Sequence, residues 1–130
     1  MFQVMILAHR KAGISHQTFH DRYERHMEMV KGFCGDAPPI LHMRWLPYHS
    51  AGPDGEATLL AGTKAQAVPS VVGVMTFADT AAWERFHIAL STEEARKAIA
   101  EDEAGFWDRN SMQAVEVDGF KICGFLMGGR

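Results

Sequence analysis

Several residue types and patterns are scarce in this 130-residue chain, and each scarcity excludes a class of protein. Lys and Arg number 13 against 16 Asp and Glu, so the basic excess typical of a nucleic-acid binder is missing. No apolar run approaches the roughly 20 residues that a membrane-spanning helix needs. The two cysteines form no CxxC pair, and the first residues carry no signal-peptide pattern. We therefore expect a cytoplasmic protein with free thiols and with neither a nucleic-acid nor a membrane partner.

The common motifs of nucleotide, zinc and hydrolase sites are missing as well. The chain contains no GxGxxG or GxxxxGK loop, no HExxH and no GxSxG. His16 and His20 lie four residues apart, a spacing that suits two metal ligands, but we expect them on the solvated side of a helix. The sequence therefore predicts no metal site.

What the chain does have is an alternation of strand and helix patterns that suits one domain over residues 1–130. Residues 49–70 are rich in Gly, Ala, Ser and Pro and predict a long loop or lid, with a turn of helix near 57–66. The apolar tail from residue 120 predicts an edge strand or a subunit contact. The predicted strands cover residues 2–9, 40–48, 71–78 and 111–118. The predicted helices cover 16–33, Asp79 to Leu90, and a last stretch that opens with a capping box at Ser91 and reaches about Trp107. This order predicts an α+β, ferredoxin-like β-α-β-β-α-β domain with an antiparallel sheet.

The first and third predicted strands lack the apolar–polar alternation of an antiparallel sheet with one wet face. Residues 4–8 are apolar throughout, and residues 71–77 are interrupted only by Gly73 and Thr76. Both faces of the sheet must then be covered, and the helices can cover one. We therefore predict a homodimer in which a second copy of the chain covers the other face, so that two sheets pair into a dimeric α/β barrel.

Two ionisable residues fall on helix faces that are otherwise apolar. His26 lies four residues before Val30 in the first helix, and Asp102 lies three residues after Ile99 in the last one. Because a buried carboxylate needs a partner, we expect Asp102 to pair with His26 or Arg109. His26 is then a candidate general acid or base whose ring Asp102 orients. The alternatives are a hydrogen-bonded core histidine and an Asp102 that turns out to solvent.

Other candidate ligand-binding residues surround this pair. On the second strand, His42 and Arg44 share one face, and Trp45 lies on the other. Either face can line a pocket between sheet and helices, and His42 is either a polar group of that pocket or a core histidine. The aromatic residues that we expect to bind a ligand and exclude water, unless they only pack in the core, are Phe19, Tyr23, Trp45, Phe106 and Trp107.

Four segments together resemble the EthD-domain family of the dimeric α/β-barrel superfamily. They are the opening strand, the turn 10–15, the helical segment 19–26 with its YxxH spacing, and the acidic segment 101–108. The family histidine falls on His26, and the family acid falls on Asp102 or Glu103. The chain departs from the family in two places, because Met27-Glu28-Met29 replaces the usual xPL after the histidine and because the 49–70 loop is long.

The resemblance implies a pocket between sheet and helices that holds a small aromatic or polyketide-like molecule without a cofactor. Members are similar to lyases, decarboxylases, cyclases, isomerases and monooxygenases, so we expect a cofactor-free acid–base enzyme. Two alternatives stay open. One is a binding or accessory protein of an oxidative degradation pathway, and the other is a monooxygenase that works without a cofactor or with haem.

Overall fold

A computed structural model describes residues 1–50, 52, 56–63 and 67–119. Its sheet has the strand order β2-β3-β1-β4, and each neighbouring pair is antiparallel. This is the predicted α+β, ferredoxin-like architecture, in which the two βαβ halves interleave their strands. The elements are β1 (Phe2–Ala8), α1 (His16–Cys34), β2 (Leu41–Trp45), β3 (Val71–Phe77), α2 (Thr80–Leu90), α3 (Glu93–Glu103), a short 3-10 helix (Arg109–Ser111) and β4 (Gln113–Val117).

Helix α1 carries most of the candidate site, and its start and end follow from local chemistry. The Ser15 hydroxyl oxygen accepts a hydrogen bond from the Thr18 N–H at 3.0 Å, which caps the first turn. Gly35 ends the helix with a φ of 58°, a region that glycine adopts readily. The buried side chains recur at the helical period, so one face packs on the sheet: Phe19, Tyr23, His26 and Cys34.

The last helix differs from its prediction at both ends. Thr92 caps α3 in place of Ser91, because its hydroxyl oxygen accepts from the Ala95 N–H at 3.2 Å. Ser91 instead closes α2, where its hydroxyl donates to the His87 carbonyl at 2.6 Å. Helix α3 ends at Glu103 rather than near Trp107. The chain then turns, so that Phe106 and Trp107 enter the core from a loop.

The remaining differences concern the loops and the second and fourth strands. β4 starts at Gln113 instead of residue 111, because residues 109–111 form the 3-10 helix. β2 covers Leu41–Trp45 and is shorter than the predicted 40–48. Residues 56–63 contain no helical turn, so the described part of the predicted 57–66 turn is not helical. The predicted role of the tail from residue 120 lies outside the described residues. No helix within those residues has both the length and the hydropathy to cross a bilayer.

The core lies between the helices and one face of the sheet, in two clusters. The first cluster contains Ala8, Phe19, Tyr23, Val71, Phe106 and Trp107. The second contains Val4, Cys34, Met75, Phe77 and Phe86. The first cluster surrounds His26, and the second forms the floor of a cleft beside β2.

The opposite face of the sheet is apolar and partly open. Leu41, Met43 and Trp45 of β2 are 49%, 43% and 52% exposed, and Val115 of β4 is 44% exposed. The strand register places Met43 beside Val74 and places Met5 beside both Val74 and Val115, so these side chains share one continuous surface. We call this surface the open face.

Candidate active site

His26 is buried in α1, and both of its ring nitrogens contact carboxylates. Nδ1 lies 2.7 Å from Oδ2 of Asp102, and Nε2 lies 3.3 Å from Oε2 of Glu103. The His26 side chain is 1% exposed, whereas the Asp102 side chain is 32% exposed. The ring therefore has no free nitrogen for a substrate, and Asp102 is the member of the pair that solvent reaches.

Two arginines extend this carboxylate cluster to the surface. Nη2 of Arg22 lies 3.6 Å from Oδ1 of Asp102, and Nε of Arg109 lies 3.4 Å from Oε1 of Glu103. The rings of Phe106 and Trp107 stand edge-on to the His26 ring, with centroids at 5.4 and 5.7 Å. The cluster therefore ties α1 to α3 and to the turn after it.

A cleft of about 310 Å³ opens between α1 and the helix-facing side of the sheet. This volume is at the lower end of the range for small-molecule pockets. His42 and Arg44 reach the cleft from β2, and the exposed Glu28 and Lys31 lie at its mouth. The apolar lining consists of Met27, Val30, Cys34, Pro38, Pro39, Met75 and Phe86. His26 does not line this cleft.

Two buried polar atoms lie near Gly73 of β3, and neither has a hydrogen-bond partner among the described residues. They are Oη of Tyr23 and Nε2 of His42. A Cβ atom on Gly73 of β3 would lie 3.4 Å from each of them. Buried polar groups without a partner are rare in folded proteins, so this pair marks a place where a partner from outside the chain fits the chemistry.

The protonation states of this pair follow chiefly from burial, with Arg44 and Glu24 as the neighbouring charges. Burial raises the pKa of Tyr23 to about 12, so the phenol keeps its proton at neutral pH. Burial, and then the Arg44 guanidinium, lower the pKa of His42 below its usual 6.5, so its imidazole is neutral. Nη1 of Arg44, which can only donate, lies 3.4 Å from Nδ1 of His42. This contact favours the tautomer with the proton on Nε2.

Glu24 compensates the charge of Arg44. Nε and Nη2 of Arg44 donate to the two carboxylate oxygens of Glu24 at 3.0 and 2.5 Å. Such a bidentate pair is among the stronger side-chain contacts in proteins. The guanidinium also lies over the Tyr23 ring, 5.9 Å from its centroid. The cleft therefore contains a cation that is already paired.

A second cavity, of about 390 Å³, lies at the opposite end of the sheet, where β1 and β2 end. His9, Arg10 and His49 line it together with residues 56–57 and 67–70. The described parts of the predicted 49–70 lid thus border this cavity, and they do not line the His42 cleft. The His16 ring stacks on His49 nearby, with centroids at 3.7 Å.

The structure brings some predicted site residues together and separates others. His26, Asp102, Phe106 and Trp107 form one cluster, and Phe19 and Tyr23 pack in the same core. His42 lies beside Tyr23 and faces the cleft. Trp45 lies on the open face, away from both, because strand alternation puts it opposite His42 and Arg44. Arg109 contacts Glu103 and not Asp102.

The geometry singles out two residues beyond the predicted pair of His26 and Asp102. Glu103, which the family resemblance gave only as an alternative to Asp102, contacts the second nitrogen of His26. Gly73 lies in the middle of a buried strand. A glycine there often marks the close approach of another group, and that signal was available in the sequence.

Comparisons with known proteins give a family and a fold. The profile of the EthD-domain family matches residues 11–110. A crystal structure described as an antibiotic biosynthesis monooxygenase superposes on this chain with a TM-score of 0.51 and 15% identity. That superposition covers 93% of this chain and 100% of the other, and at this identity it shows the ferredoxin-like fold alone. No curated protein matches the sequence significantly.

Proposed function

Because the chain belongs to the EthD-domain family, we propose that it is an acid–base enzyme acting on a small aromatic molecule in the cleft between α1 and the sheet. One observation carries the proposal: a neutral histidine that lines the cleft has a buried, unpartnered Nε2 beside an equally unpartnered phenol. Reactions of the isomerase, dehydratase and decarboxylase types share one need, which is stabilisation of an enolate or phenolate oxygen.

His42 and Tyr23 supply the two donors for that oxygen. The Nε2–H of His42 donates to the substrate oxygen and gives it the proton, while water accepts the proton of the neighbouring carbon or the carboxyl group leaves as CO₂. Nε2 of His42 then regains a proton from water. The Tyr23 hydroxyl donates a second hydrogen bond. Positioned proton transfer contributes on the order of 10²–10⁴-fold in rate, and one preorganised donor to a developing oxyanion contributes about 10²–10³-fold.

The sequence assigned the proton transfer to His26 and Asp102, and that assignment stays a prediction. In our proposal His26 is a positioning residue, since both of its nitrogens contact carboxylates. It lies three residues after Tyr23 on the same buried helix face. By fixing α1 against α3, it holds the Tyr23 hydroxyl next to His42.

Hydrogen–deuterium exchange at the methyl group of acetophenone tests this proposal without the natural substrate. Exchange requires that the methyl carbon loses a proton to water while the carbonyl oxygen is stabilised as an enolate. We expect the protein to accelerate exchange in D₂O, followed by proton NMR. His42→Phe, which keeps a planar aromatic ring and removes both nitrogens, should lower the protein-dependent rate by on the order of 10²-fold, and Tyr23→Phe by at least about tenfold. His87→Gln, at an exposed histidine outside the cleft, is the matched control.

Each outcome of the exchange experiment selects one interpretation. Thermal unfolding of every variant separates lost chemistry from lost folding. If His42→Phe keeps the full rate while a folded His26→Gln loses it, the predicted His26–Asp102 pair carries the proton instead. If acetophenone binds and no exchange occurs, the chain is a binding or accessory protein and the proposed activity is wrong.

We also propose that a second copy of the chain covers the open face. The support is a continuous apolar surface on which Met43, Trp45 and Val115 are each more than 40% exposed. Light scattering should then give twice the chain mass of 14.5 kDa. The double variant Met43→Lys and Val115→Lys should give a monomer, whereas Ile88→Lys on α2, 69% exposed away from this face, should stay dimeric. A monomeric wild-type protein at micromolar concentration would disprove the pairing.

A further inference from the structure

Gly73 leaves a methyl-sized gap beside the two unpartnered polar atoms. Its φ is not positive, so the backbone there does not require glycine. A Cβ at this position would lie 3.4 Å from Nε2 of His42 and from Oη of Tyr23, and 3.7 Å from the Met43 carbonyl oxygen. A glycine inside a strand gives up side-chain packing, and here the room it leaves adjoins the two groups that lack a partner.

We infer that Gly73 is a specificity-determining residue and that the neutral carbonyl oxygen of a ligand becomes the missing partner of Tyr23 and His42. The inference rests on the proposed function for the location of the site, and it adds the kind of ligand group and the residue that admits it. Both polar atoms are closed to solvent in the free protein. The oxygen therefore enters with a small displacement of the two side chains, for which Gly73 leaves room.

The charges around the pair favour a neutral oxygen over a carboxylate. The Tyr23 hydroxyl and the neutral His42 imidazole supply two uncharged donors, which match the two lone pairs of a carbonyl oxygen. Arg44 is the cation beside them, and both oxygens of Glu24 already bind it. A carboxylate ligand would therefore lie near Glu24 without an unpaired guanidinium to offset its charge.

The rest of the ligand must suit the apolar part of the cleft. Met27, Met75 and Phe86 line a space of about 310 Å³, which accommodates an aromatic ring with a short substituent. Acetophenone, an aryl methyl ketone, is thus a minimal probe. Benzoate is its anionic counterpart, and ethylbenzene is the counterpart that lacks oxygen.

Gly73→Ala tests the inference because the methyl group fits the fold and fills the gap. Its contacts at 3.4 Å are ordinary packing distances, so we expect an unchanged fold. Acetophenone should bind the wild-type protein and shift the NMR signals of the His42 and Tyr23 rings. The Kd of acetophenone should rise at least about tenfold in Gly73→Ala, whereas ethylbenzene should bind both proteins with equal affinity. Benzoate should bind the wild-type protein at least about tenfold more weakly than acetophenone does. Gly32→Ala in α1, where a Cβ meets nothing within 4 Å, is the matched control.

Three results would overturn the inference: no acetophenone binding at millimolar concentration, equal affinity of wild type and Gly73→Ala, or a direct Tyr23–His42 hydrogen bond in the free protein. Should Gly73→Ala fail to fold, Tyr23→Phe replaces it as the test variant. Tyr23→Phe must then weaken the binding of acetophenone and leave the affinity for ethylbenzene unchanged. The binding results do not depend on turnover. If the protein binds the ketone beside Gly73 and catalyses no exchange, the proposed activity is wrong and the inferred carbonyl subsite is still supported.

Discussion

His26 and His42 both lie between α1 and the sheet, yet their ring nitrogens meet different surroundings. Carboxylates contact both nitrogens of His26, and its side chain is 1% exposed. His42 has an arginine near one nitrogen and no partner for the other among the described residues. The His26 ring and the Nε2 atom of His42 are both closed to solvent, so burial does not by itself indicate a reactive histidine. The useful distinction is whether a nitrogen is left for a ligand.

The acids near the two rings explain this difference. Asp102 and Glu103 contact the His26 ring directly, so the ring joins two carboxylates that would otherwise face each other. Glu24 lies near His42, but it binds Arg44 with both oxygens. The His42 ring therefore meets a cation at close range, and burial first and then this cation lower the pKa of His42.

The largest expected effect comes from removing the His26 ring. His26→Ala leaves Asp102 and Glu103 near each other in a partly buried space, and the Glu103 side chain is 11% exposed. Truncating a buried aromatic ring to Ala costs about 3–5 kcal/mol, and here two carboxylate contacts are lost with the ring. We expect a loss of that size in the free energy of unfolding, measured with urea.

His42→Phe is the control for this measurement, because it removes a buried Nε2 that has no partner among the described residues and one long contact of Nδ1 with Arg44, at 3.4 Å. We expect its free energy of unfolding to stay within about 1 kcal/mol of the wild type. If both variants lost the same amount, His42 would be as much a structural residue as His26, and the contrast between them would fail.

Parts of this contrast could be predicted from the sequence. The helical period alone placed His26 and Asp102 on facing apolar stripes, and they meet at 2.7 Å. The contact of Glu103 depends on where α3 ends, and the sequence predicted a helix to about Trp107, whereas α3 ends at Glu103. Alternation along β2 separated His42 from Trp45, but both faces of this sheet are apolar, so the pattern did not reveal which face the helices cover.

An intermediate effect is expected from releasing the paired cation beside His42. Glu24→Gln leaves the Arg44 guanidinium without its carboxylate, so an anion can take that place. We expect benzoate to bind the variant about tenfold more tightly than the wild type, which corresponds to about 1.4 kcal/mol. The affinity for acetophenone should change little, and calorimetry measures the affinities of both ligands. An unchanged preference for acetophenone over benzoate would mean that Glu24 does not control the charge of this cleft.

The smallest effect concerns the pH dependence of stability. Since burial and Arg44 lower the pKa of folded His42, the unfolded chain binds its proton more readily. The contribution of neutral His42 to the free energy of unfolding is therefore fully present above about pH 6.5. This contribution is lost as the pH falls from there through the pKa of His42 in the folded protein. His42→Phe has no such proton to bind, so it should lose less unfolding free energy than the wild type between about pH 7 and pH 5. The pKa of His16 is also lowered, by burial first and then by His49, but His16 is present in both proteins and cancels in the difference.

Equal losses in urea titrations at the two pH values would mean that folded His42 takes up a proton as freely as the unfolded chain does. A ring that charged so easily would not stay a neutral donor, and the distinction drawn between His42 and His26 would then have to rest on Tyr23 and Gly73 alone.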